Sequence, residues 1–237
     1  MIAIPALDLR EGASVQLVGG DYANERVRSY DPVATLRDWE VCGFSRVHIV
    51  DLDAATDRGS NAWLARDLMR ATSMDVQLGG GLRSEEQLAT AFGDGARYAV
   101  LGTRAVEDLT WLEGVAQKHP GKIIVAADVV GRRVVSRGWQ RALNHDVTEF
   151  VQAVNAIPLA AVLVTAVHNE GRLEGIDLNL FTQVCRASRW PVQAAGGVAS
   201  VADLSALAEC GVSAAIIGMA LHTGVLDAAQ VAEEFAQ

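Results

Sequence analysis

Lysine is nearly absent from this 237-residue sequence: among 20 basic residues only Lys118 and Lys122 are lysines, close together in KHPGKIIVAAD. Lys118 precedes an apolar run and Lys122 starts it, so neither stands where a strand would end and present an active group. Schiff-base aldolase and pyridoxal-phosphate mechanisms are therefore poor candidates. Cysteine is scarce too. Cys42, Cys185 and Cys210 form no C-x-x-C and are odd in number, which argues against a disulfide framework and predicts three buried, reduced thiols. The five histidines, at 48, 119, 145, 168 and 222, show no metal-ligand spacing, so no metal is expected. Positive charge is in deficit, 20 − 29 = −9. Nucleic acid and anionic membrane are thereby excluded as partners, and an anionic ligand must be held by local groups. Long hydrophobic runs are missing as well. The longest uncharged stretch, Phe150 to Asn169, contains Gln152, Asn155 and Pro158, and reads as a helix end running into a buried strand. The start, MIAIPALDLR, lacks a basic region and meets an acid at Asp8, so no signal peptide is read and a cytoplasmic location is expected.

What is present is a series of short apolar runs: residues 2–7, 46–50, 75–78, 98–101, 123–127, 161–165, 192–195 and 214–217. They are rich in Val and Ile without alternation, the pattern of parallel strands buried on both faces. Helix-compatible segments such as NAWLARDLMRA, SEEQLATAFGDG, LTWLEGVAQKH and LNLFTQVCRAS lie between them. Eight strands alternating with helices predict an α/β fold, a single (β/α)8 TIM barrel, with a doubly wound open sheet as the alternative. No linker breaks the chain, so residues 1–237 are read as one domain.

The second half echoes the first. Gly80, Gly81, Leu88, Gly95 and Gly102 recur 116 positions later as Gly196, Gly197, Leu204, Gly211 and Gly218, and Asp8 is matched by Asp128 at +120. Such an offset predicts two similar half-barrels, roughly 1–118 and 119–237. GGGLRS (79–84) and AGGVAS (195–200) each follow a strand and precede a helix, as do LGTRA (101–105) and IGMAL (217–221). Glycine lets backbone approach a ligand closely, and the free N–H groups of a helix start hold phosphate without a cation. Paired loops of this kind on opposite sides predict a long substrate with a phosphate at each end. Asp8 and Asp128 end the first and fifth strands, which face each other in an eight-stranded barrel, and two facing carboxylates suit acid–base work. Trp139, in SRGWQ, is placed to cover an aromatic ring, and His48 stands within a strand.

IPALDLREG, VHIVDLDAA, GGGLRS, AADV followed by RGW, AAGGVAS and IGMAL resemble the phosphoribosyl isomerase family of histidine biosynthesis along essentially the whole chain. DLDAATDRGSN and RGW look closest to its actinobacterial branch, whose members also isomerise phosphoribosylanthranilate for tryptophan synthesis. The resemblance implies cofactor-free conversion of an aminoaldose to an aminoketose. The implied substrate is N′-(5′-phosphoribosyl)formimino-aminoimidazole carboxamide ribotide (ProFAR), which carries two phosphates, and a monomer is expected. By similarity Asp8 is the base, and Asp128 or Glu170 the acid. The implied binding residues are His48, Gly80, Gly81, Arg83, Gly102, Thr103, Arg137, Trp139, Thr165, Gly171, Gly196, Gly197, Gly218 and Met219, with Arg137 and Trp139 suited to an anthranilate carboxylate and ring. The chain departs from the family pattern at Gln16, usually arginine, at Ala166 and Glu170, usually aspartates, and at Ala195, usually serine. These departures leave open a member narrowed to phosphoribosylanthranilate, or a phosphometabolite-binding barrel without catalysis. The related cyclase of imidazole-glycerol-phosphate synthesis, which needs a glutaminase partner, fits poorly, because Ala6 precedes Leu7-Asp8 and no lysine occurs before Lys118.

Overall fold

Val and Ile favour extended backbone, and a run of them buried on both faces pairs on both edges. In the computed structural model, which describes residues 1–139 and 141–235, each of the eight apolar runs is a strand. They are β1 (Ile2–Arg10), β2 (Arg46–Asp51), β3 (Asp75–Gly79), β4 (Tyr98–Leu101), β5 (Ile123–Val130), β6 (Ala161–Ala166), β7 (Val192–Ala195) and β8 (Ala214–Ile217). Every strand pairs in parallel with the next, and β8 pairs with β1, so the sheet closes. The fold is a (β/α)8 barrel, not the open sheet.

The helices sit where the segments above place them: Ala62–Ala71, Glu85–Asp94, Leu109–Lys118 and Leu178–Ala187. Their ends follow local chemistry. The Ser84 side chain accepts the Gln87 N–H, and Ser200 forms a capping box with Asp203. Gly95 ends the first of these helices at φ 120, which glycine takes without strain. Leu88 and Leu204 face inward from these two helices and are fully buried. Burying a leucine contributes about 1.5–3 kcal/mol. The main core lies between strands and helices. A smaller one, Ile4, Ala6, Val100, Ile124, Ala161, Leu163, Ala195, Ala214 and Ile216, fills the barrel itself. Small alanines in that inner layer leave room above them.

Two antiparallel hairpins were not legible beforehand. Ala13–Leu17 and Glu25–Ser29 extend β1, and Arg133–Ser136 and Arg141–Asp146 extend β5. Residues 150–169 do run from a helix, Val147–Val154, into β6. Among the described residues no helix is long and apolar enough to cross a membrane. The cysteines are free but half-buried rather than buried, because Cys42 and Cys210 lie at helix ends and Cys185 on an outer helix.

Candidate active site

The strands of a barrel end on one face, and loops there converge on the axis. On that face the chain encloses a cavity of about 540 Å³. Asp8, Asp128 and Glu170 all line it. Burial pushes the Asp8 carboxyl up to about 7. Burial, reinforced by the charges of Asp8 and Asp128, pushes Glu170 up to about 8. Burial also raises Asp128, but two donors oppose it: the Thr165 hydroxyl and Trp139 Nε1, the latter at 2.8 Å. A donor bonded to a carboxylate favours its charged form. Glu170 therefore holds a proton more readily than Asp8, which exchanges one near neutrality, while at Asp128 the two donors work against the rise that burial causes.

The glycine loops flank this cluster. Gly80 (φ 94) and Gly196 (φ 94) take left-handed backbone, as do Gly81 and Gly197. A side chain at Gly80 would strike the Asp51 backbone, and one at Gly197 the Gly175 carbonyl. Gly102 (φ −98, ψ −113) and Gly218 (φ −100, ψ −91) share a backbone shape outside the α and β wells, each just before a short helix. Since β3 and β4 stand opposite β7 and β8, the two loop pairs lie at opposite ends of the cavity. Their surroundings differ in charge. Arg58, Arg83 and Arg104 line the cavity, and 116 positions after Arg83 and Arg104 stand Ala199 and Ala220. Gln16, buried, packs its amide against Gly218 and donates to the Val15 carbonyl at 2.9 Å.

Loops from three elements meet over the cavity. The Gly19 N–H donates to the Glu170 carbonyl at 3.0 Å, and Gly171 (φ 68) lies against the Leu17 carbonyl. The Trp139 ring rests on Gly20, where any side chain would collide with it. Tyr22 bridges to the next loop: its hydroxyl donates to the Leu52 carbonyl at 2.8 Å and contacts Thr56 Oγ1 at 3.0 Å. The guanidinium groups of Arg10 and Arg58 stack on its ring at 4.7 and 4.4 Å from the centroid.

Of the residues singled out from sequence, the structure brings Asp8, His48, Gly80, Gly81, Arg83, Gly102, Thr103, Asp128, Trp139, Thr165, Glu170, Gly171, Gly196, Gly197, Gly218 and Met219 to this one cavity. Arg137 is the exception. It is exposed, lies off the lining and pairs with Glu107 at 3.1 Å, so it is not poised for an anthranilate carboxylate. Ala195 lines the cavity, whereas Ala166 is buried in β6. Tyr22, Arg58 and Arg104 were missed. The two arginines follow strands two and four, and a search for cations after strand ends would have found them. Two of the acids of DLDAATDRGSN serve the scaffold, while the third, Asp57, is exposed and pairs with Arg83. Asp51 and Asp53, both buried, accept from Asn61 Nδ2 at 2.8 and 2.9 Å, and Asp53 also accepts the Glu11 N–H at 2.7 Å.

A family model described as histidine biosynthesis protein matches residues 2–227. A protein of Gemmatimonas aurantiaca is 56% identical over 235 residues, 99% of each chain. One of Myxococcus xanthus is 50% identical over 237 residues, 100% of each. One of Nocardioides sp. is 39% identical over 224 residues, 93% of this chain and 91% of its own. All three are named as isomerases of 1-(5-phosphoribosyl)-5-((5-phosphoribosylamino)methylideneamino)imidazole-4-carboxamide.

Proposed function

The chain belongs to the histidine biosynthesis protein family, and on that premise we propose that it is an isomerase converting ProFAR from aminoaldose to aminoketose. The observation that carries this reading is the placement of three unlike carboxyl groups between two phosphate-type loop pairs. An aldose-to-ketose shift needs one proton delivered to the ring oxygen, opening the ribose, and one removed from C2′. Glu170, protonated at neutral pH, is the donor for the first step. Asp8, largely ionised above about pH 7, takes the C2′ proton in the second. Asp128, fixed in place by the Trp139 and Thr165 donors, orients the substrate and, when ionised, stabilises the positive charge that develops on the ring-opened iminium. Ketonisation of the resulting enolamine, with the 2′-hydroxyl proton lost and one gained at C1′, completes the aminoketose, so the conversion is a sequence of proton transfers that requires no co-reactant.

The two ends of the substrate take the two loop pairs. Backbone N–H groups near Gly81 and Thr103, with Arg83 and Arg104, suit one phosphate. Those near Gly197 and Met219, with the Gln16 amide, suit the other with less charge. Turnover of synthetic ProFAR by the purified protein tests the reading directly. Activity is expected to persist after extensive EDTA treatment, and Glu170→Gln is expected to lose far more kcat than Asp128→Asn. The reverse order would assign the acid to Asp128, and absence of turnover would reject the isomerase.

A further inference from the structure

Beneath the carboxylates the cavity floor is apolar, formed by Ala6, Val100, Ala126, Leu163, Ala195 and Ile216. His48 interrupts it. The imidazole is only 6% exposed, lines the cavity, and is kept uncharged by burial, which pushes it down to about 4. The proton transfers above make no use of it. Its Nδ1 lies 2.9 Å from Gln77 Nε2, its one hydrogen bond to a described residue, and the ring lines the cavity. Gln77 is itself fixed. It is fully buried inside the barrel, its Nε2 donates to Gln193 Oε1 at 3.1 Å, and its Oε1 accepts from Gln193 Nε2 at 3.3 Å. The two glutamines are 116 positions apart, the offset that relates the glycine loops, so equivalent side chains of the two halves meet at the barrel axis.

In this pair Gln77 turns its carbonyl oxygen to Gln193 and presents Nε2 to His48, so the second N–H of its amide is the group that faces Nδ1. A ring nitrogen that accepts a hydrogen bond carries no proton, and in a neutral imidazole the proton then resides on the other nitrogen. We propose that Gln77 and Gln193 are positioning residues that lock His48 with its proton on Nε2, so that the cavity floor presents a single N–H donor to an uncharged oxygen of the reacting ribose. The phosphates are accounted for at the flanking loops, and the acids stand at the strand ends above. A ribose hydroxyl is the acceptor that remains for a donor set deep in an apolar floor. The choice of acceptor rests on the isomerase reading, whereas the position of the proton does not.

The test uses the full-length protein labelled with ¹⁵N-histidine. Two-bond ¹H–¹⁵N correlation spectra at neutral pH read the tautomer of each ring, and the His48→Asn variant assigns the signal. The expected result is the Nε2–H form for His48. Gln77→Glu inverts the device, because a carboxylate at 77 accepts both from Gln193 and from Nδ1–H and leaves a lone pair facing the cavity. Gln193→Glu introduces the same charge into the same pair but leaves Gln77 donating to Nδ1. The proton should therefore move to Nδ1 in the first variant and stay on Nε2 in the second. The loss of kcat/KM for ProFAR should be roughly tenfold greater in the first, the scale of one neutral hydrogen bond turned repulsive. A purely structural pair would suffer equally from either change. An Nδ1–H form in the unmodified protein overturns the proposal, whether or not the variants fold, and so does an equal loss in both variants with the tautomer unchanged. A protein that fails to turn over ProFAR but shows the Nε2–H form would reject the substrate reading and leave the locked tautomer standing.

Discussion

At the residue scale the chemistry turns on two carboxyl groups whose environments separate their tasks. Asp8 must be ionised to accept the C2′ proton, so activity is expected to fall as pH drops below about 7. Glu170 must be protonated to open the ring, so activity is expected to fall above about 8. The profile of kcat/KM against pH should be a narrow bell with limbs near those values, and a plateau from pH 5 to 10 would refute the assignment. Replacing the base without changing its shape isolates its role: Asp8→Asn is expected to lower kcat by about two to four orders of magnitude while substrate still binds. A variant that kept a third of the original kcat would show that Asp8 is not the base. The same displaced groups bear on folding. Each carboxyl holds its proton more tightly in the folded chain than its ordinary values of 3.8 and 4.5 imply. The favourable contribution is therefore complete below about pH 4 and is lost as pH rises through 7 and 8. Glu170→Gln, which cannot ionise, should melt at a higher temperature than the unmodified protein at pH 9 and lose that advantage at pH 4. Thermal unfolding at the two pH values checks the sign.

At the scale of elements, three loops form the roof, and their fit depends on one missing side chain. Gly20, at φ 64, lies beneath the Trp139 ring, and Trp139 itself adopts φ 69, a left-handed conformation that a bulky residue takes only when its surroundings hold it there. The same indole gives its N–H to Asp128. Gly20→Ala should push the ring off its seat, free Asp128 of one donor, and lower kcat/KM at least about tenfold, the cost of losing a positioned hydrogen bond at the reacting centre. Because Gly20 lies in a hairpin loop outside the barrel core, the melting temperature should change by only a few degrees. A large drop in melting temperature with kcat/KM unchanged would contradict this account. Of that roof the sequence showed single residues, Trp139 above all, but not how the loops pack on one another. The barrel strands announced themselves because burial on both faces demands unbroken apolar runs. The hairpin strands ERVRS and RVVS are short and carry arginines on exposed edges, so no such demand marks them. Asp8 and Asp128 could be placed because strand ends face the axis. Glu170 was reached only through resemblance, and Tyr22 was missed, because contacts between loops distant in sequence leave no periodic trace.

At the scale of the whole molecule, the repeated architecture sets the length of what it binds. β3 with β4, and β7 with β8, carry glycine loops of matching backbone at opposite ends of one cavity, and the acids stand between them. A ligand with a phosphate at each end satisfies both sets of N–H groups. Phosphoribosylanthranilate has one phosphate, so it leaves one set without its anion and must be held through its ring and carboxylate. The arginine suited to that carboxylate, Arg137, is instead paired with Glu107 outside the cavity. Binding energy realised at the far end of a substrate lowers the barrier at the reacting centre, and polar groups left unpaired in a site built for them discriminate strongly. The neutral end, with Ala199, Ala220 and Gln16, still offers backbone donors to a phosphate, so the frame for the longer substrate is intact. We therefore expect kcat/KM for ProFAR to exceed that for phosphoribosylanthranilate by at least about 100-fold, a floor below the roughly 10⁴-fold that polar groups left unpaired can impose. In cells, the gene should restore growth of a histidine auxotroph lacking its own ProFAR isomerase and do so poorly, if at all, for a tryptophan auxotroph. Assay of both substrates on one preparation is the measurement. Comparable efficiencies would mean that the paired loops do not select for two phosphates, and rescue of the tryptophan auxotroph alone would reverse the order of substrates altogether.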